Sequence, residues 1–182
     1  MIAMDYRLIE QCRAGDSAAV EHFVQTYQQQ LFRLALSILD DSGEAEDATQ
    51  EALLAALRAL DSFHGASSLK TWLFSITVNI CRSRLQQRHR RERLSQVLSA
   101  VLPIYKNPSV EESAVQNISD QALWHTIHRM EEKHRIPIVL RYYHELSVAE
   151  IADILQIPEG TVHSRLNTAR KLLHEVLKEG RL

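Results

Sequence analysis

The chain is poor in the residues that build β-rich, disulfide-linked and membrane-spanning proteins. Five Gly and four Pro among 182 residues argue against a β-rich or collagen-like chain. Two cysteines, Cys12 and Cys81, are too few and too far apart to suggest a disulfide framework or a zinc site, so we expect reduced thiols. No apolar run approaches the roughly 18 residues of a membrane span, and the first residues lack the basic start of a secretion signal. We therefore expect a cytoplasmic protein without membrane insertion.

Patterns that indicate catalysis or metal binding are also missing. The nine His residues have no HExxH or CxxC companion, and no activated nucleophile or Gly-rich phosphate loop argues for an enzyme. We expect no metal and no cofactor. The 45% of apolar residues can bury a sizeable core in one domain or two small ones. Because helix-forming residues dominate, the predicted fold class is all-α.

Charge is nearly balanced overall but strongly uneven along the chain. The formal net charge is only −2. Residues 40–51 hold six acidic side chains and no basic one, whereas residues 82–93 hold six Arg against the single Glu92, a local net charge of +5. Patches of opposite sign favour two different partners, one basic and one polyanionic.

Helix signals and breakers predict two helical modules, residues 1–93 and 109–182, with a linker over residues 94–108. A short helix closed by Gly15 is followed by predicted helices over about 18–39, 44–60 and 69–91. One apolar stripe predicts the buried face of the last of these helices: Leu69, Trp72, Leu73, Ile76 and Ile80. Pro103, Asn107 and Pro108 are the only clustered breakers, and a capping box from Ser109 to Glu112 opens the second module.

The second module contains a predicted helix-turn-helix. Ser147 and Glu150 have capping-box spacing, and only Gln156 and Ile157 separate this helix from Pro158, which is predicted just inside the next one. That next helix has an apolar stripe, Val162, Leu166, Ala169, Leu173 and Val176, opposite a polar and basic face. Such a second helix enters the DNA major groove, although short helical hairpins also occur in proteins that bind no DNA.

Three stretches together resemble the sigma factors of bacterial RNA polymerase. Residues 135–173 look like the family's domain for the upstream promoter element. The stretches AEDATQEALLAALRAL and LKTWLFSITVNICRSRLQQRHRR look like its polymerase-docking and promoter-melting helices. Two modules in this order, separated only by a linker, indicate the extracytoplasmic-function subgroup of the sigma-70 family. The resemblance implies core RNA polymerase, promoter DNA and an anti-sigma factor as partners, and a linker that threads along the polymerase channel.

The acidic stretch is the expected polymerase contact. Helical spacing places five residues on one face, which we call the acidic ridge: Glu44, Asp47, Gln50, Glu51 and Leu54. By resemblance, Asp47, Gln50 and Glu51 match positions that dock onto the clamp helices of the polymerase's largest subunit. Without the resemblance, a solvated acidic face would be the favoured explanation of the pattern.

The Arg-rich helix is the expected contact for the downstream promoter element. We call its predicted DNA-binding residues the downstream face: Asn79, Arg82, Ser83, Gln86, Arg88 and Arg90. Arginine neutralises phosphates, Asn79 has the donor and acceptor to read a base edge, and the family uses the matching position in this way. The preceding residues 62–68, SFHGASS, which we call the downstream loop, are a candidate pocket for an unstacked base. Phe63 and His64 are candidates for stacking, Phe63 is equally a candidate for the core, and Trp72 is assigned to the core.

The polar side of the last helix is the expected contact for the upstream element. We call these residues the upstream face: Thr161, His163, Ser164, Arg165, Asn167, Thr168, Arg170 and Lys171. Three positions depart from the family's pattern and leave the promoter sequence open. Arg82 stands where relatives often carry Asp, Thr168 where many carry Arg, and His163 where Lys or Arg is common.

Two other functions are compatible with parts of the chain. An autonomous helix-turn-helix repressor explains residues 147–174, but it has no use for the acidic ridge or for Asn79 and is usually a symmetric dimer. A sigma-like decoy that binds an anti-sigma factor keeps the fold but loses the basic residues, which this chain retains. The sequence therefore favours an initiation factor that binds core polymerase, recognises a two-part promoter and assists DNA opening without catalysing a reaction.

Overall fold

A computed structural model describes residues 2–101 and 118–178, with side chains over residues 6–94 and 123–175. Within these ranges the chain is helical and contains no strand. The α-helices are α1 (Ile2–Arg13), α2 (Ser17–Leu39), α3 (Ser42–Ala59), α4 (Leu69–Val101), α5 (Ile118–Arg129), α6 (Glu132–Tyr142), α7 (Val148–Leu155) and α8 (Glu159–Lys178). A short 3₁₀ turn, Leu60–Ser62, follows α3. The predicted all-α fold with a terminal helix-turn-helix is confirmed.

Short polar side chains start the helices where the sequence places them. The Asp16 carboxylate accepts hydrogen bonds from the amides of Ala18 and Ala19 at 2.9 and 3.3 Å, and so begins α2. The Asp41 carboxylate accepts from the Glu44 amide at 2.7 Å and begins α3. Gly15, with φ +78°, provides the left-handed residue between α1 and α2. Local capping chemistry therefore sets the first three helices to within about two residues of their predicted bounds.

The first module is organised around α2, which packs against α1, α3 and α4. The side of α2 that faces the core includes Phe23, Leu31, Leu34 and Ile38, each fully buried. The facing side of α3 is lined with small residues, Ala45, Ala48, Ala52 and Ala56, all fully buried. Alanine lets two helices approach closely, so α3 lies tightly against its neighbours and turns its acidic side to solvent.

Helix α4 is buried on a broader side than its predicted stripe. Leu69 and Leu73 are buried as expected, but Trp72, Ile76 and Ile80 are only partly buried. The structure instead buries six residues outside the predicted stripe: Thr71, Phe74, Thr77, Val78, Cys81 and Leu85. The reason is that α4 contacts α2 and α3 on one side and α7 of the second module on another. The helix also continues to Val101, past the predicted start of the linker at residue 94.

The second module contains the predicted helix-turn-helix. The Ser147 hydroxyl accepts from the Glu150 amide at 3.2 Å, and the Glu150 carboxylate accepts from the Ser147 amide at 2.8 Å, which confirms the capping box. The Glu150 carboxylate also accepts from the Ser147 hydroxyl at 2.7 Å, and the two hydrogen bonds that Ser147 donates to this carboxylate lower the pKa of Glu150. Pro158 precedes the first residue of α8, rather than lying inside the helix, and its carbonyl accepts from the amides of Thr161 and Val162.

The apolar stripe of α8 packs as predicted where its side chains are described. Val162, Leu166 and Ala169 are buried against α6 and α7, and Leu173 is partly buried. The Val176 side chain lies outside the described residues, as do the capping box at Ser109 and the predicted breakers of the linker. No helix in the described residues is long and apolar enough to span a membrane.

The two modules contact each other directly. Helix α7 packs on α4, and α6 packs on α2. His144 of the second module meets the Phe74 ring edge to face at 5.3 Å between centroids. Beside this apolar contact, Arg82 pairs with Glu132 at 2.5 Å, and His128 Nδ1 lies 3.0 Å from Asp40. Both modules therefore share one continuous hydrophobic core.

Candidate functional site

The acidic ridge runs along the solvent side of α3. Asp47, Gln50, Glu51 and Leu54 are exposed and Glu44 is half-buried. Leu54 is 54% exposed and lies among these polar side chains. The acidic ridge therefore presents charged, polar and apolar groups to solvent on one side of α3.

Two arginines of α4 pair with carboxylates of the acidic ridge. Arg84 Nη2 donates to Glu51 at 2.9 Å, and its Nη1 lies 3.8 Å from Asp47. Arg88 donates to Glu44 at 2.8 Å. Asp47 stays 70% exposed, so it is the carboxylate of the three with the most accessible charge.

A groove of about 310 Å³ separates α3 from α4 and joins two predicted surfaces. Glu44 and Glu51 of the acidic ridge form one wall, and Ser83 and Arg88 of the downstream face form the other. Because the two surfaces share this border, a protein bound to the acidic ridge lies next to any nucleic acid bound along α4.

The residues of the downstream face differ in accessibility. Asn79, Ser83, Gln86 and Arg90 are exposed on one side of α4. The two remaining residues are engaged within the protein. Arg82 pairs with Glu132 of the second module, and Arg88 contacts the Leu39 carbonyl at 3.3 Å in addition to Glu44. Fewer side chains of the downstream face are therefore accessible to DNA than the sequence predicts.

The downstream loop exposes His64 and buries Phe63. Phe63 is 7% exposed and packs on Trp72 at 5.2 Å between ring centroids, so the structure places this ring in the core rather than in a base pocket. Ser68 closes the loop, because its hydroxyl accepts from the Thr71 amide at 3.0 Å and begins α4. Residues between these anchors, His64 and Ala66 in particular, are exposed.

The upstream face covers the solvent side of α8. Six of its eight residues are exposed: His163, Ser164, Asn167, Thr168, Arg170 and Lys171. Thr161 and Arg165 are half-buried at the edges. The Thr168 hydroxyl donates to the Ser164 carbonyl at 3.2 Å, whereas the side chains of Asn167 and Lys171 extend into solvent. Residues at the start of α8 therefore present donors and acceptors that a major groove can receive.

The sequence did not predict the roles of two arginines that make structural contacts at these surfaces. Arg84 holds the acidic ridge to α4, and Arg13 of α1 donates to the carbonyls of Leu60 and Phe63 beside the downstream loop. Neither contact has a local sequence signal, since each joins residues 33 or more positions apart. No group of three potential metal ligands gathers among the residues that the structure describes.

Comparisons with known proteins agree with this geometry. The family description Sigma-70 region 2 matches residues 23–91, and Sigma-70, region 4 matches residues 120–173. The first match contains the acidic ridge and the downstream face, and the second contains the helix-turn-helix.

Several curated relatives match nearly the whole chain. The RNA polymerase sigma-H factor of Pseudomonas aeruginosa is 32% identical over 96% of this chain and 94% of its own. The ECF RNA polymerase sigma factor SigW of Bacillus subtilis is 31% identical over 98% of this chain and its full length. The ECF RNA polymerase sigma-E factor of Escherichia coli K12 is 35% identical over 93% of this chain and 92% of its own.

Solved structures show the same fold. The sigma factor RpoE of Bartonella quintana, in complex with the anti-sigma factor NepR, superposes with a TM-score of 0.69 and 26% identity over 87% of this chain and 96% of that one. CnrH, in complex with the cytosolic domain of CnrY, has a TM-score of 0.67 and 24% identity over 94% of this chain and 96% of that one.

Proposed function

Because the chain belongs to the extracytoplasmic-function group of the sigma-70 family of RNA polymerase sigma factors, we propose that it directs core RNA polymerase to two-part promoters and assists their opening. The observation that carries this proposal is the coexistence of three exposed surfaces on one chain. These are the acidic ridge on α3, the downstream face on α4 and the upstream face on α8.

The acidic ridge is the proposed contact with core polymerase. Its accessible carboxylate, Asp47, and its exposed apolar residue, Leu54, provide charge for orientation and apolar area for burial. Gln50 lies beside them and is also exposed. Glu44 and Glu51 already pair with arginines of α4, so their proposed role includes holding the ridge in position.

The two DNA surfaces are proposed to read DNA in different states. Exposed Asn167 near the start of α8 suits a closed major groove, which admits a helix and offers each base pair a distinct pattern. Exposed Asn79 on α4 follows the downstream loop and is followed by arginines, a combination that suits unstacked bases of a melted strand. This division gives each module one promoter element.

The remaining properties follow from the same family assignment. RpoE of Bartonella quintana was solved with an anti-sigma factor, and we propose a partner of that class for this chain. We propose that the protein acts in the cytoplasm, where core polymerase lies, and that it catalyses no reaction itself.

Binding to core polymerase tests the proposal directly. Asp47→Lys reverses the charge of the most exposed carboxylate of the acidic ridge and is expected to weaken binding to core enzyme severely. Glu46→Lys is the matched control, because it makes the same charge change at an exposed site on another side of α3. The double reversal of Asp47 and Glu51 to Lys is expected to abolish binding with helicity unchanged. Equal affinity of Asp47→Lys and Glu46→Lys for core enzyme would refute the docking role.

A further inference from the structure

The N-terminal helix α1 holds the start of the downstream loop through one arginine. Arg13 Nη2 donates to the Leu60 carbonyl at 2.6 Å and to the Phe63 carbonyl at 2.9 Å. Its Nη1 donates to Glu10 at 2.6 Å, and its Nε lies 3.6 Å from Asp61. A planar guanidinium reaches these acceptors at once because its donors are fixed in a fork, whereas an ammonium is a point charge.

A second residue of α1 contacts the middle of the same loop. Gly65 has φ +73°, a conformation that L side chains rarely adopt. A Cβ at Gly65 would lie 1.7 Å from the Tyr6 hydroxyl oxygen and 2.9 Å from its Cζ, so the tyrosine occupies the space that any larger residue needs. The loop backbone and α1 are thus fitted closely to each other.

The far side of the loop is also fixed, which isolates its exposed part. Phe63 is packed on Trp72, and Ser68 begins α4 by capping Thr71. Residues 64–67 therefore span two anchors, and α1 supports them through contacts that involve neither α4 nor the second module.

From these contacts, and resting on the function proposed above, we propose that Arg13 and Tyr6 are positioning residues that set selectivity for the downstream promoter element. They act on the downstream loop rather than on DNA. A loop that is already held in its binding geometry loses less conformational entropy when it captures a base than one that must be ordered first. Loss of the α1 contacts should thus reduce discrimination at the downstream element and leave upstream recognition unchanged.

Hydrogen exchange of the free chain tests the positioning step without polymerase or DNA. In Arg13→Lys and Arg13→Ala, backbone amides of residues 61–67 are expected to exchange at least about tenfold faster, since opening the loop no longer breaks two hydrogen bonds to a charged donor. Tyr6→Ala is expected to accelerate exchange at Gly65 and its neighbours. Arg7→Ala is the matched control, because Arg7 is an exposed arginine of the same helix. If the amides of residues 61–67 exchange no faster in the Arg13 variants than in Arg7→Ala, the inference is overturned.

Transcription with core polymerase tests the consequence for selectivity. On promoters with single substitutions in each element, Arg13→Lys is expected to lower discrimination at the downstream element about fivefold, as an unfixed loop must be ordered during binding. Discrimination at the upstream element should match that of Arg7→Ala. Undiminished downstream discrimination in Arg13→Lys would overturn the inference, whereas a wild-type chain that supports no promoter-dependent transcription would overturn the proposed function.

Discussion

Individual arginines of α4 have different environments although they are close in sequence. Arg84 and Arg88 turn toward α3, where they pair with Glu51 and Glu44. Arg82 turns toward the second module and pairs with Glu132. Arg90 is exposed. Fewer arginines of α4 can therefore contact a phosphate backbone than the sequence contains, because ion pairs within the protein hold Arg82, Arg84 and Arg88 in place.

Arg90 and Arg88 are expected to respond differently to replacement by alanine. Arg90→Ala should weaken binding of the polymerase complex to all promoters and reduce the slope of log affinity against log salt by about one, as the loss of one phosphate contact does. Arg88→Ala should lower thermal stability, since it removes contacts to the Leu39 carbonyl and Glu44. Salt titrations of promoter binding, paired with melting curves of the free variants, measure both effects. A reduced salt slope in Arg88→Ala without loss of stability would assign Arg88 to DNA instead.

At the scale of whole helices, locally determined features were predicted better than those set by distant packing. The start of α2 at Asp16 and the capping box of α7 are decided by hydrogen bonds within four residues, so the sequence predicts them. The buried side of α4 depends on α7, which begins at Val148, far along the chain from the end of α4 at Val101. No local sequence pattern predicts that Phe74 and Cys81 are buried and that Ile76 is only partly buried.

In the candidate surfaces too, local features were predicted and contacts between distant residues were not. Helical spacing alone places Asp47 and Leu54 on one exposed side of α3 and Asn167 on the exposed side of α8. The spacing contains no information about the pairing of Arg84 with Glu51 or of Arg82 with Glu132, because these depend on how helices are arranged in space. The family resemblance supplied the roles, and the structure shows which side chains remain accessible for them.

The helices α4 and α8 are expected to contribute to different steps of initiation. Asn167→Ala should cost about 1–3 kcal/mol of discrimination at one upstream base pair if it makes a bidentate contact, with DNA opening preserved once the complex forms. Asn79→Ala should leave upstream recognition intact, reduce selectivity at the downstream element and slow opening. Permanganate footprinting on matched promoter variants separates the two results. A change of preference confined to the upstream element in Asn79→Ala would contradict the assignment.

At the scale of the whole molecule, the contact between the modules is relevant to function. It brings Glu132 against Arg82 of the downstream face, while Asn79 and most of the upstream face stay exposed. The contact between the modules also buries much of the His144 side chain. His144 lies between Phe74, Tyr143 and the Ser37 hydroxyl, and the charges of Lys70 and Arg33 act on it. Burial, together with the charges of Lys70 and Arg33, lowers its pKa from 6.5 to about 4.

Acidification is therefore expected to weaken the contact between the modules. Because the pKa of His144 is depressed in the folded protein, its stabilising effect is complete above pH 6.5 and is lost as pH falls toward 4. The pKa of His128 is lowered as well, by burial, although the Asp40 carboxylate opposes this. For His144 the effect amounts to about 2–3 kcal/mol in the free energy of unfolding.

Chemical denaturation between pH 7 and pH 4.5 measures this effect in the wild type and in His144→Leu. The leucine variant keeps an apolar side chain against Phe74 and cannot take up a proton. Its free energy of unfolding should thus fall less steeply with acidification than that of the wild type. Parallel pH profiles of the two proteins would show that His144 does not titrate in this way.

The closed arrangement of the modules also predicts how the free chain binds DNA. Promoter duplex should bind weakly, because the net charge is −2 and the two DNA-binding surfaces are held in one fixed orientation. Addition of core enzyme should convert this weak, salt-sensitive binding into a specific complex. Tight and specific binding by the isolated chain would instead favour an autonomous repressor.

Reversal of one charge at the contact should weaken the association of the modules. Glu132 pairs with Arg82 and its charge also acts on Arg135, so Glu132→Lys replaces attraction with repulsion among three cations. Glu131→Lys makes the same charge change at a side chain that is 72% exposed, and it controls for the added positive charge. We expect Glu132→Lys to increase the radius of gyration in solution scattering and to bind free promoter duplex more tightly than the control. With core enzyme present, the difference in DNA affinity between the two variants should shrink. Binding to polymerase then supplies the free energy that separates the modules in either variant. Equal binding of free duplex by the two variants would mean that the contact does not restrain the free chain.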